Sequence, residues 1–402
     1  MNHKLKLIAG GALVAAGLVM TALSAPNADT LHPGKTLYSF AGGADGELPN
    51  GDLIVDDMGV YYGTTLGGGS NSNCPEGCGT VYKVVNGQES VIYSFAGGSD
   101  GAVPSDGLLL DAEGNLYGVT SVGGDSDMGT VFKVAPDGTE SILYSFAGGS
   151  EDGATPNGDL IADAEGNLSG TTFSGGIGDC SGGCGTVFKV TPDGQESILY
   201  AFTGAPPREG ASPAAGLIAD AEGNLYGTTY GGGKPGCGQP TGCGTIFKVT
   251  PDGQESMLHV FEGGRAGHPN DRLLLDAQGN FYGTSYNGGV KFGAVWKVSP
   301  DGTETVLYSF QHHADGVGVS PGLIADSEGN FYGATLYGGE NAAGVVYRLS
   351  PEGRFATLYN FPDGDYGDYT AGRLIIDRQG NLIGTTRSGG DSDKGTIFEV
   401  RN

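Results

Sequence analysis

The sequence predicts an all-β fold: a seven-bladed β-propeller of four-stranded antiparallel blades, its ring closed by the N-terminal strand. Three observations carry that prediction. A Gly-Asn-Leu-Tyr-Gly-Thr-Thr type motif recurs with its inner glycine at Gly63, Gly118, Gly170, Gly227, Gly283, Gly333 and Gly384, in steps of 50 to 57 residues. Three further short motifs keep the same beat, and all are aliphatic, β-branched or aromatic runs bounded by turn residues, which is how strands read. The first strand-like run, Leu37 to Phe40, is an orphan of the last motif type, and the last unit, ending at Val400, lacks that strand. A period near 50 is too long for the rungs of a β-helix and suits a propeller blade.

Taken in order, the chain opens with a targeting segment. Lys4 and Lys6 precede an apolar run from Leu7 to Leu23, followed by the small residues Ser24, Ala25 and Ala28. That is a secretory signal over residues 1–28, with no cysteine after it to take a lipid. The repeats occupy residues 35–402. No later stretch reaches the roughly 20 apolar residues of a spanning helix.

Within each unit the order is an aliphatic run ending in aspartate (Gly216 to Asp220), the glycine motif, a Gly-Thr-Val-Phe-Lys-Val run (Gly185 to Val190) and a Leu-Tyr-Ser-Phe run (Leu143 to Phe146). Asp-Ala-Glu-Gly-Asn joins the first two, with its aspartate at Asp56, Asp111, Asp163, Asp220, Asp276, Asp326 and Asp377. A short Asx-type turn is expected there, the carboxylate accepting backbone N–H groups. Pro-Asp-Gly, as at Pro251 to Gly253, makes the other tight turn. The remaining two connections are long and variable, such as Leu66 to Cys78 and Ala41 to Gly51. In an antiparallel meander alternate connections share an end, so the long loops share one face and the tight turns the other. With the aliphatic run innermost, the N-terminal strand completes the seventh blade and removes exposed sheet edges.

Glycine is 78 of 402 residues, far above the roughly 7% average, without the triplet period of collagen. The net charge is −26, with no basic patch, so nucleic acid is not expected as a partner. The acidity suits an exported, soluble protein and also leaves room for Ca²⁺ on acidic loops. No other cofactor is indicated.

The six cysteines form local pairs: Cys74 with Cys78, Cys180 with Cys184, Cys237 with Cys243. In an exported chain this reads as three disulfides, each closing a small loop for about 2 kcal/mol. The alternative is a Cys₄ zinc site from Cys180, Cys184, Cys237 and Cys243.

Units of the form Gly-Leu-Ile-x-Asp-x-x-Gly-Asn-Leu-Tyr-Gly-Thr-Thr, then Gly-Gly, Gly-Thr-Val-Phe-Lys-Val, Pro-Asp-Gly and Leu-Tyr-Ser-Phe, resemble the GloVer tandem repeats of exported bacterial "choice-of-anchor" proteins. The likeness spans about residues 35–402. More loosely the units are similar to NHL propeller repeats, in which the corresponding aliphatic run is innermost. The resemblance implies a bacterial exported or surface protein without an assigned activity. Such proteins often end in an anchoring tail, whereas this chain stops two residues after Val400. Free secretion or periplasmic residence is therefore expected beside the cell surface.

Candidate site residues fall in the long loops. Asp45, Asp100, Asp152 and Asp315, each followed or flanked by glycine, and Asp125 with Asp127 (matched by Asp391 with Asp393) could hold Ca²⁺ or a polyhydroxylated ligand, or serve turns alone. His268, His312 and His313 break the repeat and are candidate ligand-binding residues together with Asp315. The recurring tyrosines Tyr62, Tyr117, Tyr226, Tyr282 and Tyr332 read as packing between blades rather than as a sugar platform. No nucleophile elbow, phosphate loop or His-Glu-x-x-His occurs, and no catalytic set stands out. The expected role is binding or structural, as a monomer, with a glycan or a cell-surface protein on the long-loop face. The alternative is a carbohydrate-active propeller enzyme, a hydrolase or lyase.

Overall fold

The computed structural model describes residues 31–402 except 72, 206–208, 235–236, 238–241, 265, 270, 287–291, 312–313, 321 and 363–367. The expected signal segment therefore lies outside the described residues, apart from which no helix is long and apolar enough to cross a membrane. Seven antiparallel sheets stand around a central axis. Blade one is Glu47–Val55, Tyr61–Gly67, Thr80–Val85 and Gln88–Ser94, in that order from the inside out. The innermost strands pack on one another around the ring. Blade seven takes its outermost strand from the N-terminus: Gly34–Ser39 pairs with Thr396–Val400, matching Gly34 to Val400 and Ser39 to Thr396.

The repeated glycine has a steric cause. In every blade it lies directly across the sheet from an aromatic residue of the third strand: Gly63 from Tyr82, Gly227 from Phe247, Gly283 from Trp296. The ring folds over the glycine so closely that a Cβ on Gly227 would stand 2.7 Å from Phe247 Cζ. That ring then receives the phenylalanine of the preceding unit edge-on: Phe202 meets Phe247 at 5.0 Å, Phe40 meets Tyr82 at 5.1 Å, and Phe361 meets Phe398 at 4.9 Å. All these rings are nearly or fully buried. The edge-to-face geometry adds about 1 kcal/mol per pair to a larger burial term.

The turn aspartates behave as the sequence implies. Asp220 Oδ1 accepts the N–H of Glu222 and Asn224, at 3.1 and 2.8 Å. Its Oδ2 takes the Asn224 amide at 2.7 Å and the Tyr226 hydroxyl at 2.8 Å. Tyr226 in turn packs on Phe281 of the next blade, so the tyrosine series is interblade packing. The three cysteine pairs are disulfides and no described cysteine is free, which excludes the zinc alternative. Each bond packs under a glycine turn of the next blade, Gly97, Gly204 or Gly263.

One boundary differs from expectation. The innermost strand starts well before the aliphatic run, within what reads as long loop: Glu47–Val55, Ala102–Leu110, Gly153–Ala162. Its register with the second strand slips between Asn50 and Ile54, and likewise in blades two, three and seven. Glycine and proline disguise it. Pro49, Pro104 and Pro156 are tolerated because an innermost strand has a free edge. The residue before each proline, Leu48, Val103, Thr155, Ser212 and His268, has φ near +55°. Such a conformation is costly for β-branched residues and is held by its surroundings. Val103 N–H, for example, donates to Cys78 O of the preceding blade at 2.9 Å.

At the outside of the ring the loop carboxylates form a second belt. Asp100 accepts the Tyr93 hydroxyl and, through its other oxygen, the Ala96 N–H. Asp45 does the same for Tyr38 and Ala41; Asp152, Asp315 and Glu209 accept both the hydroxyl (of Tyr144, Tyr308 and Tyr200) and the backbone N–H on a single oxygen. A glutamate of the next blade faces this group. Burial and the neighbouring Asp45 push Glu89 up to about 8; burial with Asp100, and burial with Asp152, push Glu140 and Glu196 to about 7. In the other junctions Glu304 meets His259 at 3.1 Å, and Phe355 stacks on Tyr308 at 4.3 Å.

Two outcomes are expected. Gly227→Ala drives a methyl into Phe247 and Leu217, which costs about 1–3 kcal/mol in urea unfolding. The raised glutamates hold protons in the folded state that the unfolded chain releases near its ordinary value of 4.5. Their stabilisation is full below that value and is lost as pH rises through about 7 to 8. The melting temperature should therefore be higher at pH 5 than at pH 8, with a smaller difference in Glu140→Gln/Glu196→Gln. A melting temperature that stays level or rises over that range contradicts the assignment.

Candidate functional site

The inner strands enclose a funnel of about 400 Å³ that opens among the long loops. Its wall is set by one register. Immediately before the leucine shared by all seven inner strands (Leu53, Leu108, Leu160, Leu217, Leu273, Leu323, Leu374) stand Asp52, Gly107, Asp159, Gly216, Arg272, Gly322 and Arg373. From the leucine to the turn aspartate the repeat is well kept; at this position it is not. The residues that follow the glycine motif complete the wall on one side: Tyr230, Tyr286, Leu336 and Arg387.

The aspartates of the wall bridge adjacent blades. Asp106 and Asp159 exchange bonds across one junction: Asp106 Oδ2 accepts the Gly158 N–H at 2.6 Å, and Asp159 Oδ1 accepts the Gly107 N–H at 2.7 Å. Asp52 Oδ1 accepts the Arg373 N–H at 2.6 Å, closing the ring between blades one and seven. Asp271 Oδ2 gathers the Thr284 N–H, the Thr284 hydroxyl and the Gly322 N–H, at 3.0, 2.6 and 3.1 Å. The innermost edges, which have no further strand to pair with, are thus satisfied by side chains.

Two arginines are matched to this acid. Arg373 Nη2 meets Asp52 Oδ2 at 2.9 Å, and Arg272 Nη1 meets Asp159 Oδ2 at 3.5 Å, with all four side chains 12–19% exposed. Burial raises Asp106 to about 6 and Asp271 to about 7, and it raises Asp159 as well, with Asp52 adding to the effect. Burial and the neighbouring Arg373 lower Arg272; for Arg373 itself burial is outweighed by Asp52 and Asp159, and its pKa rises. Arg373 Nε is buried without a hydrogen-bond partner among the described residues. Arg387 is exposed, donates to Asn50 Oδ1, and has no carboxylate at ion-pair distance among the described residues. The funnel therefore combines guanidinium donors, amide groups of Asn50 and Asn157, and carboxyls held near neutrality by burial. Such a lining can grip hydroxyl and carboxylate oxygens.

The residues singled out from sequence fall elsewhere. Asp45, Asp100 and Asp152 spend both oxygens on tyrosines of the outermost strands and on backbone N–H groups; Asp315 does so through Oδ2, and its buried Oδ1 has no hydrogen-bond partner among the described residues. Asp127 closes a turn on the Gly123 N–H at 2.8 Å, as Asp393 does on Gly389, and Asp125 is exposed beside it. Among the described residues no group of three or more His, Cys, Asp or Glu is placed to hold a metal ion. His268 is 5% exposed; its ring nitrogens each lie 3.0 Å from a carbonyl, of Tyr230 and Cys237, and its ring stacks on Tyr230 at 4.6 Å. It reaches the funnel only by supporting Tyr230. His312 and His313 lie outside the described residues. The wall residues stand at a register where aligned units disagree in charge, but glycine, aspartate and arginine there look like loop.

The sequence matches the Gloeobacter/Verrucomicrobia repeat over residues 16–182 and 237–402, and the chain belongs to that family. No curated protein has a matching sequence. Among solved structures, virginiamycin B lyase from Staphylococcus aureus aligns with a TM-score of 0.60 at 13% identity, over 92% of this chain and 98% of that one. The extracellular domain of a protein described as a hybrid two component system, from B. thetaiotaomicron, aligns with a TM-score of 0.58 at 9% identity, over 91% of this chain and 39% of that one. At these identities the likeness is one of fold.

Replacing the crosslinking carboxylate tests the wall. Asp271→Ala leaves the buried N–H groups of Thr284 and Gly322 unpaired and should cost about 3 kcal/mol in denaturant unfolding, whereas Asp271→Asn, which keeps an acceptor, should cost less.

Proposed function

We propose that this protein is an exported bacterial binding protein that takes a small, hydroxyl-rich polar ligand into the central funnel from the long-loop face. The observation that supports it most is the register at Asp52, Asp159, Arg272 and Arg373. At this one register the seven units carry aspartate, arginine or glycine, and these side chains meet in one cavity. A scaffold role alone asks for no such divergence. The disulfides agree with export, and residues 1–28 supply the signal. The protein acts as a monomer, since its own N-terminal strand completes the seventh blade and no second copy is needed to close the ring. The ligand is a free saccharide or the glycan of a cell surface.

A second reading, a carbohydrate-active hydrolase or lyase, is favoured by one observation. Burial raises Asp106 to about 6 and Asp271 to about 7, toward the range a general acid uses. The two readings part in one experiment. The purified protein is titrated calorimetrically with neutral and acidic saccharides and incubated with the polysaccharides that contain them. Binding without cleavage is expected, weakened about tenfold or more in Arg373→Gln. Cleavage that disappears in Asp106→Asn replaces the binding reading with the enzymatic one, and neither binding nor cleavage overturns both.

A further inference from the structure

We infer that the ligand is a carboxylate-bearing oligosaccharide, its terminal residue seated in the funnel with the carboxylate on Arg387 and its next residues lying on a tyrosine arc at the funnel mouth. This rests on the binding reading above and specifies its ligand.

The first observation is Arg387. It follows the glycine motif of blade seven, at the position held by Leu66, Ser121, Phe173, Tyr230, Tyr286 and Leu336 in blades one to six. The two other arginines of the wall face Asp52 and Asp159. Arg387 has a neutral partner, Asn50 Oδ1, and burial disfavours its charge, with Asp106 the carboxylate that offsets this. Asp106, however, commits Oδ2 to the Gly158 N–H and is itself raised by burial. A guanidinium partly removed from water, with no carboxylate at ion-pair distance among the described residues, gains from a ligand that brings one, and its fork suits a carboxylate rather than a lone hydroxyl.

The second observation is independent. Tyr286 lines the funnel, Tyr337 and Tyr369 directly adjoin the lining residues Leu336 and Thr370 in the chain, and all three, on blades five to seven, are 39–42% exposed. Tyr337 and Tyr369 meet edge to face at 5.0 Å, and Tyr337 is raised by burial and by the nearby hydroxyls of Tyr369 and Tyr286. The corresponding mouth positions of blade one are Leu66, Gly67 and Leu48, and those of blade two are Ser121, Val122 and Val103. Blades one and two thus carry no aromatic ring at these positions; blades three and four carry Phe173 and Tyr230 at the first of them, and the three tyrosines of blades five to seven form the stretch that ends beside Arg387. Three rings left half open beside a cavity form an apolar patch with a polar rim, the mark of a binding surface. The hydroxyls that accompany them suit a partner that is apolar on its faces and polar at its edges, as a pyranose ring is. The strained backbone of Tyr369, at φ 59°, fixes that ring at the mouth in the position that Leu48 and Val103 hold elsewhere. A protein partner would require a broad surface. A funnel of about 400 Å³ has instead the size of a small-molecule pocket.

The test uses calorimetry on the purified protein with glucuronate and galacturonate oligomers of one to four residues, against neutral glucose and galactose oligomers of the same lengths. Uronates should bind more tightly than their neutral counterparts, and affinity should rise about tenfold from monomer to trimer. Tyr337→Ala/Tyr369→Ala should remove the gain with length and leave monomer binding unchanged. Arg387→Gln should remove the preference for acid, bringing uronate affinity down to that of the neutral counterparts measured on the same variant. Both variants alter exposed side chains, and an unchanged melting temperature certifies their fold. Equal binding of neutral and acidic saccharides overturns this inference while the funnel reading stands. So does an acid preference that survives Arg387→Gln, or affinity independent of length. Binding of no saccharide at all overturns both.

Discussion

Everything in this propeller depends on an aromatic ring lying across a glycine. The third strand of each blade carries the ring, the second strand carries the glycine opposite, and a phenylalanine from the preceding unit enters edge-on. The glycine lets the ring fold flat against the sheet, and the flat ring presents its face to the neighbouring blade. Sheet packing and ring closure are thus one interaction repeated around the circle. It also explains why the ring residue can be Tyr82, Phe247 or Trp296 while the glycine does not vary: ring size is tolerated, a Cβ is not.

The innermost strand packs its leucine and neighbouring aliphatic residues into the interblade cores and lends the residues just before that leucine to the axis. Its free edge must still find hydrogen-bond partners, and the aspartates of the wall supply them across blade junctions. Those carboxylates therefore serve structure and electrostatics together. They fasten neighbouring blades, they hold arginines in place, and burial leaves three of them above the ordinary carboxylate range.

The outer belt shows the same economy. A tyrosine, a loop carboxylate and a glutamate of the next blade meet at the junctions that follow blades one to three and at the closure of the ring. Where the glutamate is absent another contact takes its place: Phe355 stacks on Tyr308, and Gly34, at the closing strand, lets Tyr359 lie against the backbone. Gly34 is thus a second case in which a missing side chain makes room for a ring.

The sequence by itself determined the number of blades, their four strands, the closure by the orphan strand, the tight turns built on Asp220 and its counterparts, and the local disulfides. All of these depend on residues near one another in the chain or on a pattern that repeats, and repetition turns a weak local signal into a firm one. Tertiary structure decided the start of the inner strand, the duty of the loop aspartates and the site. Glu47 to Gly51 reads as loop, because proline and glycine mark turns unless a free edge receives them. Asp45 and Asp100 read as ligand groups until Tyr38 and Tyr93 are seen to claim them. The funnel residues, from Asp52 to Arg373, are far apart in sequence, and each alone looks like turn chemistry. Only closure of the ring brings them to one axis, because a side chain's partners across a junction are set by the geometry of the circle and not by the unit that encodes it.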